Sequence, residues 1–277
     1  MLRFEKPEYK ITEYIENNHY GKFELEPLER GFGTTIGNAL RRVMLSSLPG
    51  SAITSVKIEG VMHEFQKIDG VVEDVTAIVL ALKSIVIKNH SEDDKVIRLY
   101  ADKEGAITAG DIERDADIEI VNPELVIANL VKGGKLEMEM TVSNGRGYVD
   151  SKANQQLLGE NKVGVIAIDS LYSPIERVSY EVESARVGQN ENFDKLIMNV
   201  YTNGSITPEE AMALSAKILI EHFNIVTDLN AISDVSGLMA EKKVDTITKT
   251  LETPIEEIEF SVRAYNCLKR AGINTVQ

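Results

Sequence analysis

The chain has 277 residues, of which 43% are apolar and 27% charged, a soluble globular composition with enough length for two domains and a sizeable core. A net charge of −14 argues against a protein that wraps nucleic acid over its whole surface, so any DNA contact has to be local. The single cysteine, Cys267, excludes an internal disulfide and a cysteine-rich zinc site and fits a reducing cytoplasm, while the absence of a secretory signal or long apolar run predicts a soluble intracellular protein without a membrane partner.

In chain order, Tyr20 to Pro27 alternates as a strand and feeds a glycine-loosened loop and a short helix that Pro49 and Gly50 stop. Thr34 or Thr35 is expected to cap that helix through its hydroxyl. Ile36, Leu40, Val43, Met44 and Ser47 share one stripe, the side a globular protein buries, whereas Asn38, Arg41, Arg42 and Leu45 fall opposite. Two guanidinium groups beside an outward leucine read as a second contact surface, because the planar arginine fork binds carboxylates bidentately and is weakly hydrated.

Ser51 to Val61 is a strand rich in β-branched residues. From Gly70, the spacing of Val71, Val75, Ile78, Val79 and Leu82 predicts a helix, with Glu73 and Asp74 in its first turn and Lys83 at its end. Lys95–Tyr100, Ala116–Val121 and Lys135–Val142 are short strands, and in the last of them Leu136, Met138, Met140 and Val142 alternate with polar residues. Ser143 to Asn161 reads as a loop. Val163–Ile168, Arg177–Arg186 and Lys195–Tyr201 are further strands.

Thr207-Pro208-Glu209-Glu210 is the clearest helix start: threonine caps, proline occupies the first helical position, and Glu210 reaches back to complete a capping box. The helix runs to about Val226 and is apolar almost all round, so more than one side of it must be covered. A second copy of the protein is the simplest cover. Thr227 to Glu259 is acidic and aperiodic, a linker, and Phe260 to Gln277 regains helical character but is too short to hold a core.

Nothing in the sequence assembles a catalytic centre. Gly31, Gly33 and Gly37 invite comparison with a dinucleotide fingerprint, but the third glycine is one position late and no acidic partner stands at the required distance, so they read as a turn and close packing. His19, His63, His90 and His222 have no metal-ligand spacing, and Ser46, Ser47 and Ser173 lack elbow glycines. Two rivals are a homodimeric enzyme using the glycine loop for phosphate and a sequence-specific DNA-binding dimer.

The segment Leu25–Phe65 resembles the amino-terminal domain of the bacterial DNA-directed RNA polymerase α-subunit family, as do 73–85 (EDVTAIVLALKSI), 143–149 (SNGRGYV), 166–189 and 202–212 (TNGSITPEEAM). Phe260–Thr275 resembles the start of that family's carboxy-terminal DNA-binding domain, truncated here before its remaining helices. The resemblance implies an α+β fold. A dimerisation subdomain of sheet plus helices (1–50 with 171–230) would carry an inserted, mostly β subdomain (51–170). A flexible acidic linker (231–255) and a helical carboxy-terminal fragment (256–277) would follow.

It also implies a non-catalytic homodimer, cytoplasmic and nucleoid-associated, that scaffolds the large β and β′ subunits, with ω and σ in the holoenzyme, and meets upstream promoter DNA and transcription factors through its carboxy-terminal domain. No cofactor is expected in this subunit, and Mg2+ belongs to the catalytic partner subunit. By the same resemblance Arg41, Arg42, Leu45 and Lys83 face the large subunits, and Arg263, Asn266 and Cys267 contact promoter DNA. The helix faces assign Ile36, Leu40, Leu214, Ile218 and Phe223 to the dimer interface.

Overall fold

The computed structural model describes residues 4–5, 7–15, 19–113, 115–159, 164–187, 190–227 and 239–240. In sequence order it begins with β1 (Phe4–Glu5), β2 (Glu8–Ile15), β3 (Tyr20–Glu29), α1 (Phe32–Ser47), β4 (Pro49–Ile58), α2 (Val75–Lys83), β5 (Ile87–Asn89) and β6 (Lys95–Ala101). Next come β7 (Gly105–Thr108), β8 (Ile118–Ile120), β9 (Val126–Leu130), β10 (Leu136–Arg146), β11 (Tyr148–Val149), α3 (Ser151–Leu158), β12 (Val165–Ala167) and β13 (Ser170–Leu171). The long pair β14 (Ile175–Val187) and β15 (Asn190–Thr202), then α4 (Pro208–Thr227) and β16 (Met239–Ala240), complete the order. The expected α+β class is what is found. The described residues from Glu8 to Thr227 form one compact unit; β1 and β16, which pair in parallel, belong to a second. Of the linker predicted over 231–255 only Met239–Ala240 are described, and they form strand β16 instead of an aperiodic stretch; the rest of it, and the carboxy-terminal helix predicted over 260–277 with Arg263, Asn266 and Cys267, lie outside the described residues.

Within the larger unit the apolar side chains gather into two cores. One is built from Ile53 through Ile168 around a sheet ordered β6–β10–β4–β5–β8, with β12 also on β4. The alternation read along residues 135–142 holds: Leu136, Met138, Met140 and Val142 are buried while Glu137 is exposed. The second core draws on both ends of the unit, combining Phe23, Leu28, Leu40, Met44 and Leu48 with Ile175, Val178, Leu196, Met198, Val200 and Ala211. Its antiparallel sheet is ordered β14–β15–β3–β2, and α1 and α4 pack on it. Here too alternation decides the face: Leu196, Met198 and Val200 are completely buried.

Three local expectations change. The first concerns the start of α1, where neither Thr34 nor Thr35 is the cap. The helix begins at Phe32, and Gly31 precedes it with φ 91°, a left-handed turn that glycine adopts freely. Its first N–H groups are met from a distant strand, because Asp194 Oδ2 accepts from Gly31 N at 2.8 Å and Gly33 N at 3.2 Å. A carboxylate there also matches the positive end of the helix dipole, a cap worth about 1 kcal/mol.

The second is the start of α2. Val71 and Glu73 precede it, Asp74 caps it by accepting from Ala77 N at 2.8 Å, and the Glu73 carboxylate instead holds Asn129 N and Nδ2, both at 2.7 Å. Those bonds hold the Glu73 carboxyl below its ordinary range against the opposing pull of burial, which is the larger single influence.

The third is the loop expected over 143–161, which is largely ordered. β10 runs on to Arg146, Gly147 turns it with φ 67°, and α3 follows, capped by Asp150, which accepts from Ala153 N at 2.8 Å. The polar residues here belong to a strand and not to a turn: Ser143 and Asn144 pair with Ala52 and Ser51 of β4, and Asn144 Oδ1 accepts from Ser51 Oγ at 2.7 Å while its Nδ2 donates to Ser91 O at 2.7 Å.

Candidate protein-docking surface

The capping box predicted for α4 is present: Thr207 N donates to Glu210 Oε2 at 3.1 Å and Glu210 N to Thr207 Oγ1 at 3.2 Å. Thus anchored, α4 lays Ala211 and Ser215 against the second core, with Met212, Ala216, Ile218 and Leu219 half-buried beside them. Beyond that contact Leu214, Ile220, Phe223, Ile225 and Val226 stand exposed, the last four by 58–69%. Between α4, α1 and the sheet lies an apolar groove of about 610 Å³, walled by Tyr9, Ile11, Phe23, Leu25, Leu40, Met212, Ala213 and Ala216 with Glu209 and Glu210 at its edge. Tyr14 and Ile15 continue the exposed apolar surface along β2. Contiguous exposed apolar surface of this kind is where proteins commonly associate.

The residues proposed for a dimer face therefore divide. Leu214 and Phe223 are exposed on α4. Leu40 is buried in its own core and forms part of the groove wall, while Ile36 and Ile218 are half-buried against that core. Strand β2 went unread because a register shift between Ile11 and Glu13 interrupts its alternation, leaving Tyr9 and Ile11, then Tyr14, on the helix side without a clean period. The signal available was the density of apolar residues in Glu8–Ile15 rather than their spacing.

On the outer side of α1, Arg41 and Arg42 are exposed as expected. Arg41 is not free: its Nε donates to Val178 O at 3.1 Å, so the side chain is laid along β14. Among the described residues no hydrogen bond or ion pair engages the Arg42 guanidinium. Leu45 corrects its expectation; it is half-buried and packs on the protein's own second core instead of pointing outward. The helix carries only a narrow polar stripe at that point, and Leu45 sits at its margin.

Lys83, also expected outward, is exposed along its stem, but its ammonium bonds Asp169 Oδ2 at 2.7 Å. That bond, with smaller contributions from Tyr148 and Ser151, holds the Asp169 carboxyl below the usual carboxylate range, and burial followed by the Asp169 charge pushes the Tyr148 phenol up. Because the folded-state pKa of Asp169 is depressed, its contribution to stability is complete above the unfolded value, about pH 4, and is lost as pH falls below it. Asp169→Asn is expected to lower the melting temperature at pH 7 but to shrink that deficit in melts taken below pH 4; an unchanged deficit shows that the ion pair carries no linkage.

The glycines of the opening loop serve packing. A Cβ on Gly33 would meet Val182 Cγ1 at 2.8 Å, and one on Gly37 would meet Tyr180 Cδ2 at 2.7 Å and Leu196 Cδ1 at 2.8 Å, so α1 rests directly on β14 and β15. The N–H groups that a phosphate would use are already held by Asp194. Among the described residues no group of three or more His, Cys, Asp or Glu side chains converges to hold a metal ion, and no helix is long and apolar enough to cross a membrane.

Comparison with known proteins identifies the family of the chain. Residues 56–173 match the family described as the RNA polymerase Rpb3/RpoA insert domain, and residues 241–277 match the carboxy-terminal domain family of the bacterial RNA polymerase alpha subunit. A DNA-directed RNA polymerase subunit alpha from Desulforamulus reducens is 56% identical over 277 residues, 100% of this chain and 87% of the relative. The chain belongs to the DNA-directed RNA polymerase α-subunit family. Relatives of the same name from Symbiobacterium thermophilum and Carboxydothermus hydrogenoformans are 54% and 51% identical, again over 100% of this chain and 87% of theirs. In this α-family member the insert-domain match, Val56 to Ser173, covers all of the first core except Ile53.

Proposed function

We propose that this chain is the assembly subunit of a DNA-directed RNA polymerase: it dimerises through α4 and the adjoining groove and presents Arg42 of α1 to a large subunit. The observation that carries this is the uncovered apolar row Leu214, Ile220, Phe223, Ile225 and Val226, standing beside a groove of matching character. An isologous dimer lets each α4 meet the partner's surface, which is how a helix apolar on nearly all sides becomes covered. The two cores support a division into a dimerisation subdomain (1–50 with 171–230) and an inserted one (51–170); the match of residues 241–277 to the carboxy-terminal domain family supports a role for that region in meeting promoter DNA. Chemistry would reside in the large partners, together with their Mg2+. The cytoplasm, about the nucleoid, is where such a complex works.

Arg42 is suited to docking because an exposed, unengaged guanidinium gains most from a carboxylate on a partner. Arg42→Ala is expected to leave the dimer intact in light scattering while weakening capture of the large β subunit by about 2 kcal/mol, roughly 30-fold. Undiminished capture on co-expression with a tagged β subunit would show that this face docks nothing. Arg41→Ala is expected to act less strongly on capture, since Arg41 is already bonded to Val178.

A further inference from the structure

The backbone passes between the two cores twice, near Leu48–Gly50 and near Tyr172–Pro174, and an unbraced pair of crossings is a hinge. Tyr172 is only 6% exposed, yet it belongs to neither core. Its ring lies over Gly145, where a Cβ would stand 2.8 Å from the ring atoms Cε2 and Cζ, and its carbonyl oxygen occupies the place a Cβ of Gly50 would take. Gly50 and Gly145 are register partners on β4 and β10, so two bare residues side by side make a flat seat for one aromatic residue. The seat is also bonded: the phenol oxygen shares a hydrogen bond with Ser143 Oγ at 2.7 Å, and Tyr172 N donates to Gly147 O at 2.8 Å. A second close approach lies at Gly204, in the turn after β15, where a Cβ would meet the His19 ring at 2.8 Å and Val121 Cγ1 at 3.0 Å, and nearby Asn203 N donates to Pro174 O at 3.0 Å.

We propose that Tyr172, seated on Gly50 and Gly145, is the wedge that fixes the angle between the two cores. The surface around Arg42 on one core and that around Lys83 and Asp169 on the other are then presented as one rigid body. Packed interfaces of this kind hold discrete arrangements instead of deforming continuously, so removal of the wedge releases a set of angles. Tyr172 is thus a positioning residue, acting on contacts it does not itself make.

Spin labels at Arg30→Cys and Glu104→Cys, both exposed, report the angle when placed on the whole 277-residue chain in a Cys267→Ser background and diluted into excess unlabelled protein. The parent and Tyr172→Phe, which keeps the ring on its seat, are expected to give one narrow distance. Tyr172→Ala is expected to lose it for a broad distribution while circular dichroism and dimer mass stay at the parent values. A narrow, unshifted distance in folded Tyr172→Ala overturns the proposal. Should that variant not fold, Gly145→Ala takes its place, since the added methyl lifts the ring without emptying the site, and an unshifted distance there is equally decisive against the wedge. The measurement uses no polymerase partner, so failure of the assembly reading leaves it unaffected.

Discussion

Glutamate at both Ile220 and Phe223 is expected to convert the proposed dimer into a folded monomer. These side chains are 58% and 60% exposed, so the isolated fold gives up little when they become charged. In an isologous interface each is counted twice, and with about 2 kcal/mol for burying one such side chain, the double variant forfeits roughly 8 kcal/mol gross. Even half of that raises the dissociation constant by about three orders of magnitude, before the cost of burying four carboxylates. Sedimentation equilibrium at micromolar concentration, read beside an unchanged thermal melt, checks it; a persisting dimer would place the interface elsewhere. Ile218, although on the same helix, does not discriminate, because it is half-buried on its own core and a charge there would injure the fold as well.

Gly37→Val is expected to have the largest effect on the stability of the second core. Even a Cβ at that point would stand 2.7 Å from the Tyr180 ring and 2.8 Å from Leu196 Cδ1, and the two methyl groups of valine reach further into the same space. Leu196 is completely buried and cannot retreat, so α1 has to lift from β14 and β15. Overpacking of this kind costs about 1–3 kcal/mol, and the upper end is expected because the obstruction is on two sides. For a domain of this size that lowers the melting temperature by roughly 5–10 °C. Gly31, where an added Cβ meets nothing within 4 Å, supplies the control: Gly31→Asn, a residue that tolerates positive φ, is expected to melt close to the parent. If Gly37→Val melts like the parent, the glycine is not there for close approach.

Much of this protein was determined by neighbours in sequence. The Thr207–Glu210 box, the alternation through Leu196, Met198 and Val200, and the all-round apolarity of α4 depend on residues one to four positions apart, and these elements form where they were read. The exposure of Arg41 and Arg42 follows from the same helical period. The motifs of residues 25–65 and 166–189 likewise pointed to the family from sequence alone, with no need of geometry.

What only the tertiary structure decided are interactions between groups far apart in the sequence, for which local spacing carries no sign. Asp194 replaces the expected threonine cap from 163 positions beyond Gly31, and Asp169 takes the Lys83 ammonium from 86 positions away. Leu45 could be assigned to core or partner only once β14 was in place beneath α1, and β2 could be seen only after β3 offered it an edge. Tyr172 is the extreme case: in sequence nothing marks it beyond its place just before Ser173 and Pro174. It becomes a wedge because β4 and β10 bring Gly50 and Gly145 together in register, leaving room against which Tyr172 packs its ring and carbonyl.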